Sequence, residues 1–132
     1  MQSGFAALEV GSTQSKNAKN ILLKNMVDNC VGSLIWWLVG YAFAFGPDAF
    51  NDAGFIGGKG GFYFAGNKLD EVPNAYRDCF FQLAFATTSA TIVSGSLAGR
   101  THFWAYFSYS CITTSLIYPV IVHWTWGGGW LF

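Results

Sequence analysis

The chain has 132 residues, of which 52% are hydrophobic, 19% aromatic and only 11% charged, with a formal net charge of zero. A water-soluble domain carries about 25% charged residues, so lipid has to solvate much of this exterior, and no basic tract offers itself to nucleic acid. Cys30, Cys79 and Cys111 lie in or beside apolar segments without CxxC or Cys/His spacing. That pattern speaks for packed thiols, not a disulfide framework or a metal site, and no cofactor motif is present.

Residues 1–11 (MQSGFAALEVG) are apolar but shorter than the roughly 20 residues a membrane span needs. They read as the closing turns of a membrane helix. Residues 12–20 form a polar connector with Lys16 and Lys19. No basic stretch followed by an apolar run opens the chain, so a signal peptide is not expected.

Residues 21–45 are predicted as a transmembrane helix, polar in the first half and apolar in the second (SLIWWLVGYAFAF). Lys24 and Asp28 are four apart and are expected to pair near the membrane surface. Gly32 and Gly40 offer points of close helix approach, and Trp36 and Trp37 supply bulk.

Residues 46–77 are rich in glycine and contain Pro47 and Pro73. They read as a flexible loop outside the membrane. GFIGGKGG is not a phosphate loop, because Gly60 follows Lys59 where a Walker motif needs Ser or Thr.

Residues 79–99 (CFFQLAFATTSATIVSGSLAG) hold no charge and are long enough to span the roughly 30 Å hydrocarbon layer. Phe81 and Phe85 fall four apart on one face, beside Gln82. Thr87, Thr91, Gly95 and Gly99 recur every four residues and form a stripe where another helix backbone can come close.

Residues 103–126 form the last predicted span, with Pro119 inside it and His123 near its end. The proline removes a backbone hydrogen bond, and Ser115, four residues earlier, is placed to help satisfy the freed group. The connectors at the ends of the spans carry Lys16, Lys19, Lys24 and Arg100. The opposite side carries Lys59, Lys68 and Arg77 among acids. The positive-inside rule then leans towards cytoplasmic short connectors and an extracellular 46–77 loop.

No Ser/His/Asp or paired-carboxylate constellation suggests an enzyme. His123 has no acid or second histidine in its segment and reads as a packing residue; His102 reads as solvated. The candidates for function are Phe81, Phe85 and Trp126, which together can form an electron-rich cup for a small cation. Packing is the ordinary role of such phenylalanines, and interfacial anchoring that of such a tryptophan. Each cation–π contact contributes about 0.5–2 kcal/mol, against tens of kcal/mol for stripping an ion of water. Such a cup recruits a cation at a wet vestibule and cannot carry it through a dry pore.

ALEVGSTQSKNAKNILLKN, GYAFAFG, FFQLAFATTSATIVSGSLAGR and HWTWGGGWL together resemble the ammonium transporter family (Amt/Rh), in particular its eukaryotic-type Amt branch. The resemblance implies an all-α membrane protein, one part of an eleven-helix, inverted-repeat transporter that assembles as a homotrimer. Residues 1–132 would then run from the end of the first helix through the fourth, with helices near 1–11, 21–45, 79–99 and 103–126. It implies that Phe85 belongs to a phenylalanine gate and that Phe81 and Trp126 line an outer ammonium site. The implied function is ammonium or ammonia transport, with methylammonium as an analogue, in a multi-pass protein of the plasma membrane. A non-transporting ammonium sensor or interaction module of the same family is the alternative. The family's pore histidine pair lies on later helices, so neither His102 nor His123 takes that role.

Overall fold

Apolar runs bounded by glycine-, proline- and lysine-bearing connectors set the helix boundaries. The computed structural model describes residues 1–46, 55–57, 73–97, 100–127 and 129–131, and all regular structure among them is helical. Helix α1 is Gln2–Ser12. Helices α2 (Ser15–Phe45), α3 (Ala75–Leu97) and α4 (Phe103–Thr125) are each long and apolar enough to cross a membrane. Gly99 and most of the 46–77 loop, with Lys59 and Lys68, lie outside the described residues.

Two helices begin earlier than their hydropathy suggests. The connector after α1 becomes helical at Ser15 through a single 3-10 turn, Ser15–Asn17, that runs into the α-helix Ala18–Ile35. Its polar residues Lys16, Lys19 and Asn20 are exposed there, so they solvate a helix end without breaking it. Helix α3 starts at Ala75, with Asp78 in its first turn, where a carboxylate favours the positive end of the helix dipole. Asn74 turns the chain into it at φ 65°, a conformation asparagine tolerates better than most residues.

Both longer interruptions are wide π-turns, Trp36–Gly40 in α2 and Thr113–Ile117 in α4, and the two pack on each other. The second precedes Pro119, whose missing N–H and bulky ring make a regular turn costly at that point. Ser115 does not serve the freed group as expected; its hydroxyl donates to Ile112 O at 3.5 Å. Gly40 is required by the contact, because a Cβ there would lie 2.7 Å from the Trp36 ring and 3.2 Å from Thr114 O.

Trp36 is 0% exposed and sits at the centre. Its Nε1 donates to Cys79 O at 3.2 Å, and its ring meets Tyr41 and Tyr118 edge-on at 6.2 and 5.7 Å. The small-residue stripe of α3 meets helices of this same chain. Thr87 faces Gly32, where a Cβ would stand 3.4 Å from the threonine methyl, and Gly95 approaches Glu9. Close packing of small residues is what holds helices together in lipid, where no hydrophobic force acts between them.

The expected Lys24–Asp28 surface pair is replaced by an inward arrangement. Asp28 is buried and accepts from Ser110 of α4 and from Thr91 of α3. Lys24 Nζ instead donates to Thr101 O at 3.4 Å and lies 5.7 Å from the centre of the Tyr106 ring. Four-residue spacing puts both side chains on one face of α2. That face is turned into the bundle, and hydroxyls on neighbouring helices supply the carboxylate's hydrogen bonds.

Candidate functional site

Four-residue spacing on α3 brings the rings of Phe81 and Phe85 to 5.1 Å with planes at 63°, the edge-on geometry aromatic pairs prefer. On α4, Tyr118, Ile121, Val122 and Thr125 recur at helical spacing, and Trp126 continues their face past the helix end. The two surfaces enclose a cavity of about 260 Å³, to which α3 contributes Phe85 and Gln82. Phe85 and Trp126 therefore share one cavity. Phe81 is not on its wall; it backs Phe85 from outside. Phe81, Phe85 and Trp126 are 55%, 40% and 59% exposed, so the described chain covers them incompletely.

Among the described residues, the cavity wall carries no carboxylate and no basic side chain. Its polar members are the buried Gln82 amide, the Tyr118 hydroxyl and Thr125, whose hydroxyl donates back to Ile121 O at 2.9 Å. Aromatic rings and neutral dipoles of this kind attract a cation weakly. Gln82 and Tyr118 were not singled out as site residues from the sequence. The recurrence of 118, 121, 122 and 125 on one helical face was the available signal.

The turn after α4 holds Trp126 in place. Trp126 N donates to Val122 O at 2.7 Å, Gly127 N to Val122 O at 3.0 Å and Gly129 N to His123 O at 3.0 Å, which folds the chain back over the helix end. Glycine is needed in that fold. A Cβ on Gly127 would lie 2.5 Å from Ala44 O, and one on Gly129 would lie 2.7 Å from His123 O. His123 is 0% exposed, with Nδ1 3.1 Å from Ala44 O. This contact fastens the end of α4 to the end of α2, in keeping with a packing role. His102 is exposed. Phe55 adds a second fastening: its ring stands edge-on to Trp124 at 5.1 Å, and its carbonyl accepts from Trp124 Nε1 at 3.0 Å.

The family model of the Ammonium Transporter Family matches residues 1–132. The chain belongs to the ammonium transporter family. It is 45% identical over 131 residues to Ammonium transporter Amt2 of Archaeoglobus fulgidus, covering 99% of this chain and 27% of that protein. It is 47% identical over 135 residues to Ammonium transporter 1 member 3 of Solanum lycopersicum, again covering 99% and 27%. A solved structure titled "Sensor Amt Protein" superposes with a TM-score of 0.87 at 39% identity, over 98% of this chain and 33% of that one. The chain thus spans between a quarter and a third of the length of these relatives. Family membership and the three apolar helices make it part of a membrane protein, and the two relatives from Archaeoglobus fulgidus and Solanum lycopersicum are named as ammonium transporters.

Proposed function

We propose that the protein moves ammonium across a membrane and that this chain supplies one wall of an outer recruitment site. The uncharged aromatic cavity between α3 and α4, lined by Phe85 from one side and Trp126 from the other with Phe81 behind, carries the reading. Ammonium is held there by cation–π attraction of about 0.5–2 kcal/mol per ring. Desolvating the ion would cost on the order of tens of kcal/mol, so the species that continues through an apolar pore is ammonia, with the proton handled separately. The working protein is a homotrimer in the plasma membrane, and methylammonium substitutes for the natural ion. A sensing role is the second reading, favoured by the likeness to the structure titled "Sensor Amt Protein".

Trp126→Leu in the full-length protein tests the site, since it keeps apolar bulk and removes the π surface. The half-saturation for methylammonium should rise by about 5–30-fold, equivalent to about 1–2 kcal/mol. An unchanged half-saturation in a correctly assembled variant would remove Trp126 from the site. Ligand binding without methylammonium accumulation would decide for sensing.

A further inference from the structure

A second, much smaller cavity lies away from the aromatic one, where α1, α2, α3 and α4 meet. It measures about 10 Å³, and every helix contributes to its wall: Glu9 from α1, Lys24 and Asn25 from α2, Ser94 from α3 and Tyr106 from α4. All of these are buried except Lys24, which is half-buried. A space of this size fits one water-sized molecule and is too small to take another side chain.

Two residues on this wall carry a buried polar atom without a partner. Asn25 is 8% exposed and Tyr106 4%, and among the described residues neither Asn25 Oδ1 nor the Tyr106 hydroxyl makes a hydrogen bond. The orientation of the asparagine amide is fixed. Its Nδ2 donates to Glu9 Oε2 at 2.9 Å, and turning it over would set its oxygen against the Glu9 oxygen. Oδ1 is therefore an acceptor in need of a donor. The donors beside it are directed elsewhere: Ser94 Oγ is bonded to Glu9 Oε1 and Thr91 O, and Lys24 Nζ donates to Thr101 O at 3.4 Å.

The Tyr106 hydroxyl has the opposite need, a proton without an acceptor in bonding geometry. Asp28 lies close to it but takes its hydrogen bonds from Ser110 and Thr91. A buried donor or acceptor left unmade forfeits the bond it forms with water in the unfolded chain. One unpaired acceptor and one unpaired donor on a single cavity call for a small molecule that both accepts and donates. Water meets that requirement and is present in bulk.

We propose that this cavity is the binding site of one structural water, which donates to Asn25 Oδ1 and accepts from the Tyr106 hydroxyl. Oxygens of Glu9 and Ser94 on the same wall are available to its second proton, which brings it to the two to four partners usual for a buried water. The water completes a ladder between α2 and α4. Asp28 follows Asn25, and Ser110 follows Tyr106, by about one helical turn. Asp28 and Ser110 are joined directly, and Asn25 and Tyr106 form the preceding rung through the water. The inference is independent of what the whole protein carries.

Hydroxyl-radical footprinting with synchrotron X-rays, on the full-length protein in lipid nanodiscs and ammonium-free buffer, tests it. Radicals generated from a bound water oxidise the side chain beside it even where bulk solvent does not reach. Tyr41 is the internal reference, a tyrosine of similar burial (6% exposed) that packs against Trp36 in the apolar core. Tyr106 should be oxidised several-fold faster than Tyr41, and equal rates overturn the proposal. Asn25→Leu removes the acceptor at nearly constant volume and should bring Tyr106 down to the rate of Tyr41. An unchanged Tyr106 rate in a correctly assembled variant also overturns the proposal. A crystal structure of the wild type covers the case of a variant that does not assemble. One ordered water should stand about 2.5–3.0 Å from both Asn25 Oδ1 and the Tyr106 hydroxyl oxygen. A direct bond from Lys24, Ser94 or Tyr106 to Asn25 Oδ1 in its place overturns the proposal.

Discussion

Replacing Gly127 by alanine tests whether the turn after α4 is held by backbone contact. The added methyl carbon would lie 2.5 Å from Ala44 O and 2.9 Å from both His123 Cα and His123 Nδ1. Non-bonded atoms prefer separations of about 3.5–4.0 Å, so the turn has to move by roughly 1 Å. None of the three neighbours is the free end of a flexible side chain. Two are backbone atoms, and the ring nitrogen is engaged with Ala44 O at 3.1 Å. Overpacking of this kind costs about 1–3 kcal/mol. Disturbing a buried hydrogen bond adds part of a further penalty of about 1–3 kcal/mol. The expected loss is about 2–4 kcal/mol, accompanied by weaker methylammonium binding because Trp126 precedes the displaced residue. Gly4→Ala is the matched control: nothing lies within 4 Å of its added carbon, and α1 gains up to about 1 kcal/mol of helix propensity. Unfolding by SDS titration in mixed micelles measures both. Gly127→Ala within about 0.5 kcal/mol of wild type, the range of an unremarkable surface change, would refute the reasoning.

Trp36→Phe keeps the aromatic packing of the fully buried centre but removes the Nε1 donor to Cys79 O, and should cost about 1–3 kcal/mol in the same titration. Gly40→Ala should be worse tolerated than Gly11→Ala, since the first meets the Trp36 ring at 2.7 Å and the second meets nothing within 4 Å; equal stability of the two would contradict the packing of the π-turns. For topology, a cysteine near position 58 should react with an impermeant reagent on intact cells, whereas one at Lys16 or Lys19 should react only after permeabilisation. The reverse pattern would invert the orientation.

Helix existence was legible because apolar runs in lipid have few alternatives: exposed backbone cannot be satisfied there except by a helix or a closed barrel. The helix starts at Ser15 and Ala75 were not, because charged residues at a helix end look like connector until the neighbouring elements are placed. The π-turns were partly legible. Pro119 marks the disturbance in α4, while the one at Trp36–Gly40 has no proline and is explained by its partner, the Thr114 carbonyl packed against Gly40. In the aromatic site, the i,i+4 phenylalanines could be read directly. That Phe85 lines the cavity and Phe81 stands behind it depends on how α4 is rotated against α3, which no pattern within α3 determines.

The misplacement of Asp28 has a different origin, and its correction needs only distance. A lysine four residues from an aspartate is an ordinary surface pattern in water, and its spacing alone supports that reading. Helix α2 runs from Ser15 to Phe45, 31 residues, or about 46 Å at 1.5 Å per residue. That exceeds the hydrocarbon layer of about 30 Å by about 16 Å, or about 8 Å at each end when shared equally. Asp28 stands thirteen residues after Ser15, about 20 Å along the axis, and so about 12 Å inside the apolar layer. No aspartate reaches water from there, whereas Lys24, about 6 Å nearer the end, has the longer side chain and does approach the connector at Thr101. An acid at that depth has to find donors on neighbouring helices, and Ser110 and Thr91 are what the fold provides. Glu9 of α1 likewise finds its partners on neighbouring helices, Asn25 and Ser94. In a membrane chain the depth of a carboxylate, more than the charge beside it, determines whether it anchors the surface or organises the interior.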